Sequence, residues 1–301
     1  MKSVQIRNSL LLLLTATIWG TAFVAQSVGM EHVEAFTFTF ARSIVGGIVL
    51  IPCIWFLRWL KGRESGESVT AAGRVEWIGG ICCGLALCAA SNFQQIGIAY
   101  TTVGKAGFIT ALYVVIVPIM GLFFKKRVSF VVWICVVLSV IGLYLLCMTE
   151  GSLTLAYGDL LVLICAILFS VHIMVIDHFS PQGDGVVMSC IQFFVCGIVS
   201  GIIMLFVETP TIENIMAAAM PILYAGVLSS GVAYTLQIVG QKHVPPAAAS
   251  ILLSLESVFG VIGGALFHGE VMSKREYLGC VIVFAAVILS QIDFKRKRQQ
   301  K

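Results

Sequence analysis

Two ionisable residues lie deep inside apolar runs: Arg42 within 35–57 and Glu256 within 247–267. A charged side chain in hydrocarbon costs at least about 2.5–3.5 kcal/mol on insertion scales, so one that persists faces a cavity or a partner. Arg42 is read as an anion-binding or pairing residue of a cavity, with a packing residue whose guanidinium snorkels to the interface as the alternative. Glu256 sits near the middle of its run, too deep to snorkel. Burial favours its neutral form, which suits proton exchange with either side; the alternative is a protonated carboxyl that bonds to a neighbouring helix. His172, within 155–176, is the companion candidate for a proton relay, or simply an interhelical hydrogen-bonding group.

Uncharged groups extend the constellation. Asn92, Gln94 and Gln95 cluster near one end of the third apolar run, and Tyr234 and Gln237 near one end of the eighth. They could bind polar atoms of a solute or bridge helices. Trp19 and Tyr113 could wall a cavity with aromatic surface, or serve as packing. Lys105 is expected to snorkel, and Asp159 to complement a helix N-terminus. The ten cysteines fall inside apolar runs, where a thiol behaves as a small apolar group. No CxxC pair has a second pair or a His to complete a zinc site, so no metal and no cofactor is expected. HExxH, GxSxG and paired intramembrane aspartates are absent, which argues against an intramembrane enzyme. No GxxxxGK[ST] run supplies an ATP motor.

The elements that must position these residues dominate the chain. Hydrophobic residues make up 59% and charged residues 11% of the sequence, against roughly 25% charged in a soluble domain. Ten stretches are long enough to approach the ~20 residues that a bilayer requires: 10–28, 35–57, 77–98, 103–124, 128–147, 155–176, 186–207, 221–240, 247–267 and 277–292. The first is longer than the h-region of a signal peptide, about 7 to 15 residues. With the N-terminus in the cytoplasm, the inner segments carry fifteen Lys and Arg and the outer loops only Lys274 and Arg275. That bias sets both termini inside. The basic tail, residues 295–301, is read as a lipid-facing anchor and not as a nucleic-acid patch.

The chain also repeats itself. A shift of 150 sets Trp19 on Phe169 and Arg42 on Gln192, which adds Gln192 to the cavity candidates; a shift of 144 sets Ala106 on Ser250 and Trp133 on Tyr277. Five spans per half is an odd number, so the second half enters the membrane from the opposite side. Inverted repeats of that kind place a site near the midplane at their interface. The expected fold is therefore an all-α integral membrane protein with ten transmembrane helices, arranged as two inverted five-helix repeats (1–147 and 148–294) and followed by the tail.

Trp19–Gly20, Phe40–Ala41–Arg42, the run Gly104 to Thr110, Gly158–Asp159, the run Val244 to Val258 and Gly269–Glu270 resemble an EamA-type member of the drug/metabolite transporter superfamily. Two positions depart from that pattern: Ser257 stands where Pro is usual, and Lys126 stands where the second half has its Gly-Glu pair. The resemblance implies a central cavity shared by the halves, alternating access and efflux of a small metabolite, amino acid-like compound or drug from the cell membrane. A channel or scramblase-like protein without coupled transport is the other reading. The implied partners are a small-molecule substrate and lipid, with a homo-oligomer left open.

Cysteine labelling in a cysteine-free background tests the topology. Loops Gly29 to Glu34 and Thr149 to Leu153 should react from outside, and external labelling of Arg63 to Ser68 would overturn the arrangement.

Overall fold

Hydrocarbon offers no partner to a peptide N–H or C=O, so a chain this apolar must satisfy its backbone within each segment. The computed structural model describes residues 2–65, 72–126, 128–148, 156–268 and 272–299, and among them every regular element is a helix. The first half holds α1 (Lys2–Gly29), α2 (Ala35–Ser65), α3 (Arg74–Ile98), α4 (Val103–Thr110), α5 (Tyr113–Phe123) and α6 (Phe130–Cys147). The second holds α7 (Tyr157–Phe179), α8 (Gly185–Val207), α9 (Ile212–Ala217), α10 (Ala219–Leu223), a π-helical segment (Tyr224–Tyr234), α11 (Thr235–Gln241), α12 (Pro246–Leu253), α13 (Leu255–His268) and α14 (Lys274–Gln299).

Eight stretches among the described residues are long and apolar enough to cross a membrane, from Ile6–Gly29 to Ala219–Gln241; Pro246–Ile262 is apolar but shorter. The expected 277–292 stretch lies inside the continuous helix α14. The Thr149 to Leu153 loop and the Gly269–Glu270 pair lie outside the described residues. Large apolar side chains such as Trp55, Phe123, Phe130 and Phe206 point away from the protein, as a lipid solvent allows.

Three interruptions matter most. The fourth stretch breaks between α4 and α5, where Leu112 N–H bonds to Ile109 O and Val115 N–H to Leu112 O in tightened turns. One turn on, Pro118 has no N–H to offer the carbonyl of Val114. The ninth stretch breaks between α12 and α13 at Ser254, whose hydroxyl donates to Ile251 O at 2.8 Å and so competes with the helix backbone. The eighth is wound as a π-helix over eleven residues, a form found mostly at functional sites. The short α9 had no periodicity to announce it; Thr211 starts it by accepting from Asn214 N at 3.2 Å.

Helix α3 packs along α7 and α8, α2 along α8, α6 along α14, and α1 along α13. Glycine permits the closest of these approaches. A Cβ on Gly84 of α3 would lie 2.8 Å from the carbonyl of Gln192 on α8. One on Gly20 of α1 would lie 2.6 Å from both Glu256 O and Gly260 N of α13, against backbone that cannot swing aside. Gly20→Val should therefore lower the unfolding midpoint of the purified protein by an amount equivalent to about 1–3 kcal/mol, as overpacking does. Gly121→Ala, whose new methyl meets nothing nearer than 3.8 Å, should leave it unchanged or raised.

Candidate functional site

The two helix breaks face one another. Tyr113, in the first turn of α5, donates its hydroxyl to Glu256 Oε1, in the first turn of α13, at 2.9 Å. Beside them Ser257 Oγ donates to Gly107 O at 3.3 Å. Glu256 thus sits at the start of a half-helix instead of midway along a continuous one, where four N–H groups lack intrahelical acceptors and the dipole favours an acidic group.

Around this junction lies a cavity lined by Trp19, Phe23 and Gln26 of α1, Arg42 of α2, Gln94 of α3, Thr110 and Tyr113, Phe169 and Ile173 of α7, Tyr234, Gln237 of α11 and Glu256. Both halves of the chain contribute. About 30 Å³ is open to the centre of a water-sized sphere, and one water needs about 10–15 Å³ on that measure. The cavity as it stands has room for about two waters.

Trp19 and Tyr234 meet with ring centroids 4.5 Å apart, and Phe193 closes on Tyr234 at 5.6 Å. Arg42 is 4% exposed; its Nη1 donates to Gln26 Oε1 at 3.4 Å, and its guanidinium stands over the Phe38 ring at 5.8 Å. Gln94 Nε2 donates to Thr110 Oγ1 at 3.2 Å. Two orphans border the same space: Trp19 Nε1 and Gln237 Oε1 are buried with no partner.

Trp19, Arg42, Gln94, Tyr113, Tyr234, Gln237 and Glu256 are thus brought together, and the other candidates are placed elsewhere. Asn92 donates to Cys88 O at 2.8 Å and to Ser200 Oγ at 2.9 Å, bridging α3 to α8. Gln95 donates to Gln26 O at 3.2 Å, and so positions the residue that touches Arg42. Gln192, at the place of Arg42 in the repeat, takes Nε2 of His172 at 3.1 Å through its Oε1. His172 is fully buried behind Tyr234, with ring centroids 5.9 Å apart. Gln26 is a lining residue that the sequence reading missed. It stands seven residues after Trp19, on the same helical face, and that spacing could have found it.

The remaining charges lie at the rims. Lys105 pairs with Asp159 at 3.3 Å, while Asp159 also caps α7 through Ala156 N and accepts from Thr101. Lys126 pairs with Asp177 at the other end of α7. A separate hollow of about 490 Å³ is lined by Glu31, His32, Glu34, Thr37, Glu208 and Asn214. There Glu208, at the end of α8, caps α2 by accepting from Phe36 N at 2.8 Å and Thr37 N at 2.7 Å. Among the described residues no three His, Cys, Asp or Glu are placed to hold a metal ion.

The sequence profile of the EamA-like transporter family matches residues 7–148 and again 156–291. The chain belongs to the EamA-like transporter family. An uncharacterized transporter of Archaeoglobus fulgidus is 29% identical over 284 residues, covering 92% of this chain and 83% of that protein. The uncharacterized transporter YwfM of Bacillus subtilis is 23% identical over 298 residues, covering 96% and 95%. A solved crystal structure superposes with a TM-score of 0.76 at 18% identity, covering 96% of this chain and 98% of the other, and so shares the fold. As an EamA-like protein the chain is a multi-pass membrane protein of transport.

The Tyr113 to Glu256 bond should be measurable as a coupling. In a double-mutant cycle of Tyr113→Phe and Glu256→Gln, the unfolding free energies should deviate from additivity by about 0.5–3 kcal/mol, as for residues in direct contact. Strict additivity would show that the bond contributes nothing.

Proposed function

We propose that the chain is a secondary transporter of the cell membrane that exports a small metabolite, amino acid-like compound or drug by alternating access. In this reading ten spans form two inverted five-helix repeats, 1–147 and 148–294, with both termini and the 295–301 tail in the cytoplasm. The observation that carries it is the small cavity at the meeting of two broken helices, α4–α5 and α12–α13, to which both halves contribute. Broken helices at membrane depth are tolerated where they line a cavity, and they present polar backbone and side chains to a solute there. The small volume of this cavity, about 30 Å³, favours a carrier over a wide standing pore.

Glu256 is assigned the coupling proton, with His172 as the group through which protons reach the cavity. A carboxyl in a dry site cannot remain ionised without a partner or water. Tyr113 supplies one donor, and the two-water cavity supplies the rest. Loss and return of the proton would then change the balance of charge at the junction of the two breaks, which is the place where α1, α5 and α13 can move apart.

Comparison of metabolites inside and outside wild-type and deletion cells identifies the solute without assuming its class. With that solute in proteoliposomes, wild type should show saturable counterflow and accumulation driven by a pH gradient. Glu256→Gln keeps the size and hydrogen-bonding capacity of the side chain while removing ionisation. It should retain counterflow and lose gradient-driven accumulation. Accumulation at the wild-type level would remove Glu256 from coupling, and single-channel current in place of counterflow would replace the carrier with a channel.

A further inference from the structure

The cavity contains a cation that forms no ion pair among the described residues. A guanidinium has five N–H donors and keeps its charge in proteins. Arg42 directs one of them to Gln26 Oε1 at a long 3.4 Å, and one face of the group rests on Phe38. It takes part in neither of the ion pairs, Lys105–Asp159 and Lys126–Asp177, that lie at the rims. Glu256, the carboxyl of the same cavity, is engaged by Tyr113. A buried charge with no counter-ion is costly unless something else supplies one.

The surroundings hold Arg42 for a ligand rather than hide it. Gln26 is fixed through its carbonyl by Gln95 at 3.2 Å, and Phe38, fully buried, covers one guanidinium face. Across the cavity stand the rings of Trp19, Phe169 and Tyr234, with the unpartnered Trp19 Nε1 as a further donor and Gln237 Oε1 as an acceptor. We infer that the site, widened from the state seen here, binds a small organic carboxylate: its oxygens on the Arg42 guanidinium, its apolar or aromatic body against the paired Trp19 and Tyr234 rings and Phe169, and a polar substituent at Gln237. One guanidinium with a neutral amide beside it suits a single negative charge. A phosphate dianion would lack a second cation and would face Glu256. With the termini inside, the basic inner segments concentrate anions at the inner mouth, and the hollow lined by Glu31, Glu34 and Glu208 keeps them from loading at the outer one. This names the substrate class of the site and rests on the transporter reading for the word substrate.

The test is binding to the purified full chain in nanodiscs of neutral lipid, read as the thermal unfolding midpoint. The probes are acetate, butyrate, phenylacetate and indole-3-acetate, each beside its amide, together with inorganic phosphate. Phenylacetate should raise the midpoint saturably, and at least about tenfold more tightly than phenylacetamide, as loss of a charge-assisted contact implies. Arg42→Gln should erase that preference and Arg42→Lys should reduce it, because a fork becomes a point charge. Without ligand, Arg42→Gln should melt no lower than wild type, since it removes an unbalanced buried charge. Four results would each overturn the inference: no carboxylate raises the midpoint, the amide or phosphate binds as well as the carboxylate, the Arg42→Gln protein keeps the preference, or the unliganded Arg42→Gln protein melts well below wild type while Arg42→Lys retains the full preference. Carboxylate binding without counterflow would leave the site standing and remove the transporter reading. Counterflow limited to neutral solutes and indifferent to Arg42→Gln would do the reverse.

Discussion

Everything in this molecule depends on the hydrogen-bonding demand of a peptide backbone in an apolar solvent. Helices meet that demand residue by residue, and the chain is helical wherever it is regular. A helix can stop inside such a solvent only where something other than lipid receives its freed groups. At Leu112 and Ser254 the receivers are tightened turns, the hydroxyls of Ser254 and Ser257, and a small polar cavity. The breaks and the cavity are therefore one feature: each removes the cost of the other.

That linkage explains which parts could be read in advance. Hydropathy depends on composition alone, so the apolar stretches were legible, and so was the depth of Arg42 and Glu256 within them. The ends were less so, because a helix continues beyond its apolar run whenever the flanking residues are good helix formers; α2 continues to Ser65 and α14 to Gln299. The breaks were opaque. Pro118 marks the fourth stretch, but Ser254 has no proline beside it, and the π-helical winding of Tyr224–Tyr234 leaves no mark in a pattern of apolar residues. The six residues of α9 lie below any periodicity.

The site was partly legible for a similar reason. Depth picked out residues that hydrocarbon would penalise, and seven of those named line one cavity. Depth says nothing of which way a helix is turned. Asn92 and Gln95 both lie in α3, yet one faces Ser200 on α8 and the other Gln26 on α1. Gln192 shows how a repeat diverges: it aligns with Arg42 in the sequence, yet its Oε1 bonds to His172 of its own half and it is not among the residues lining the cavity. The bond from Tyr113 to Glu256 joins residues 143 apart, a relation that spacing along one helix cannot express.

The charges complete the argument by their unequal treatment. Helix α7 carries Asp159 at one end and Asp177 at the other, and each is met by a lysine at an end of the same broken stretch, Lys105 in the first turn of α4 and Lys126 after α5. Charges at the rims are thus balanced by protein groups and fasten α7 to α4–α5 at both ends. Arg42, in the second turn or so of the span Ala35–Trp59, enters neither of these pairs. If the rim pairs supplied a counter-ion to the centre as well, the cavity would have no electrostatic reason to admit a solute. On the proposed reading, an unpaired Arg42 is the means by which occupancy of the cavity changes the relative stability of the protein's states, since a ligand can shift an equilibrium only by its differential affinity for the two states.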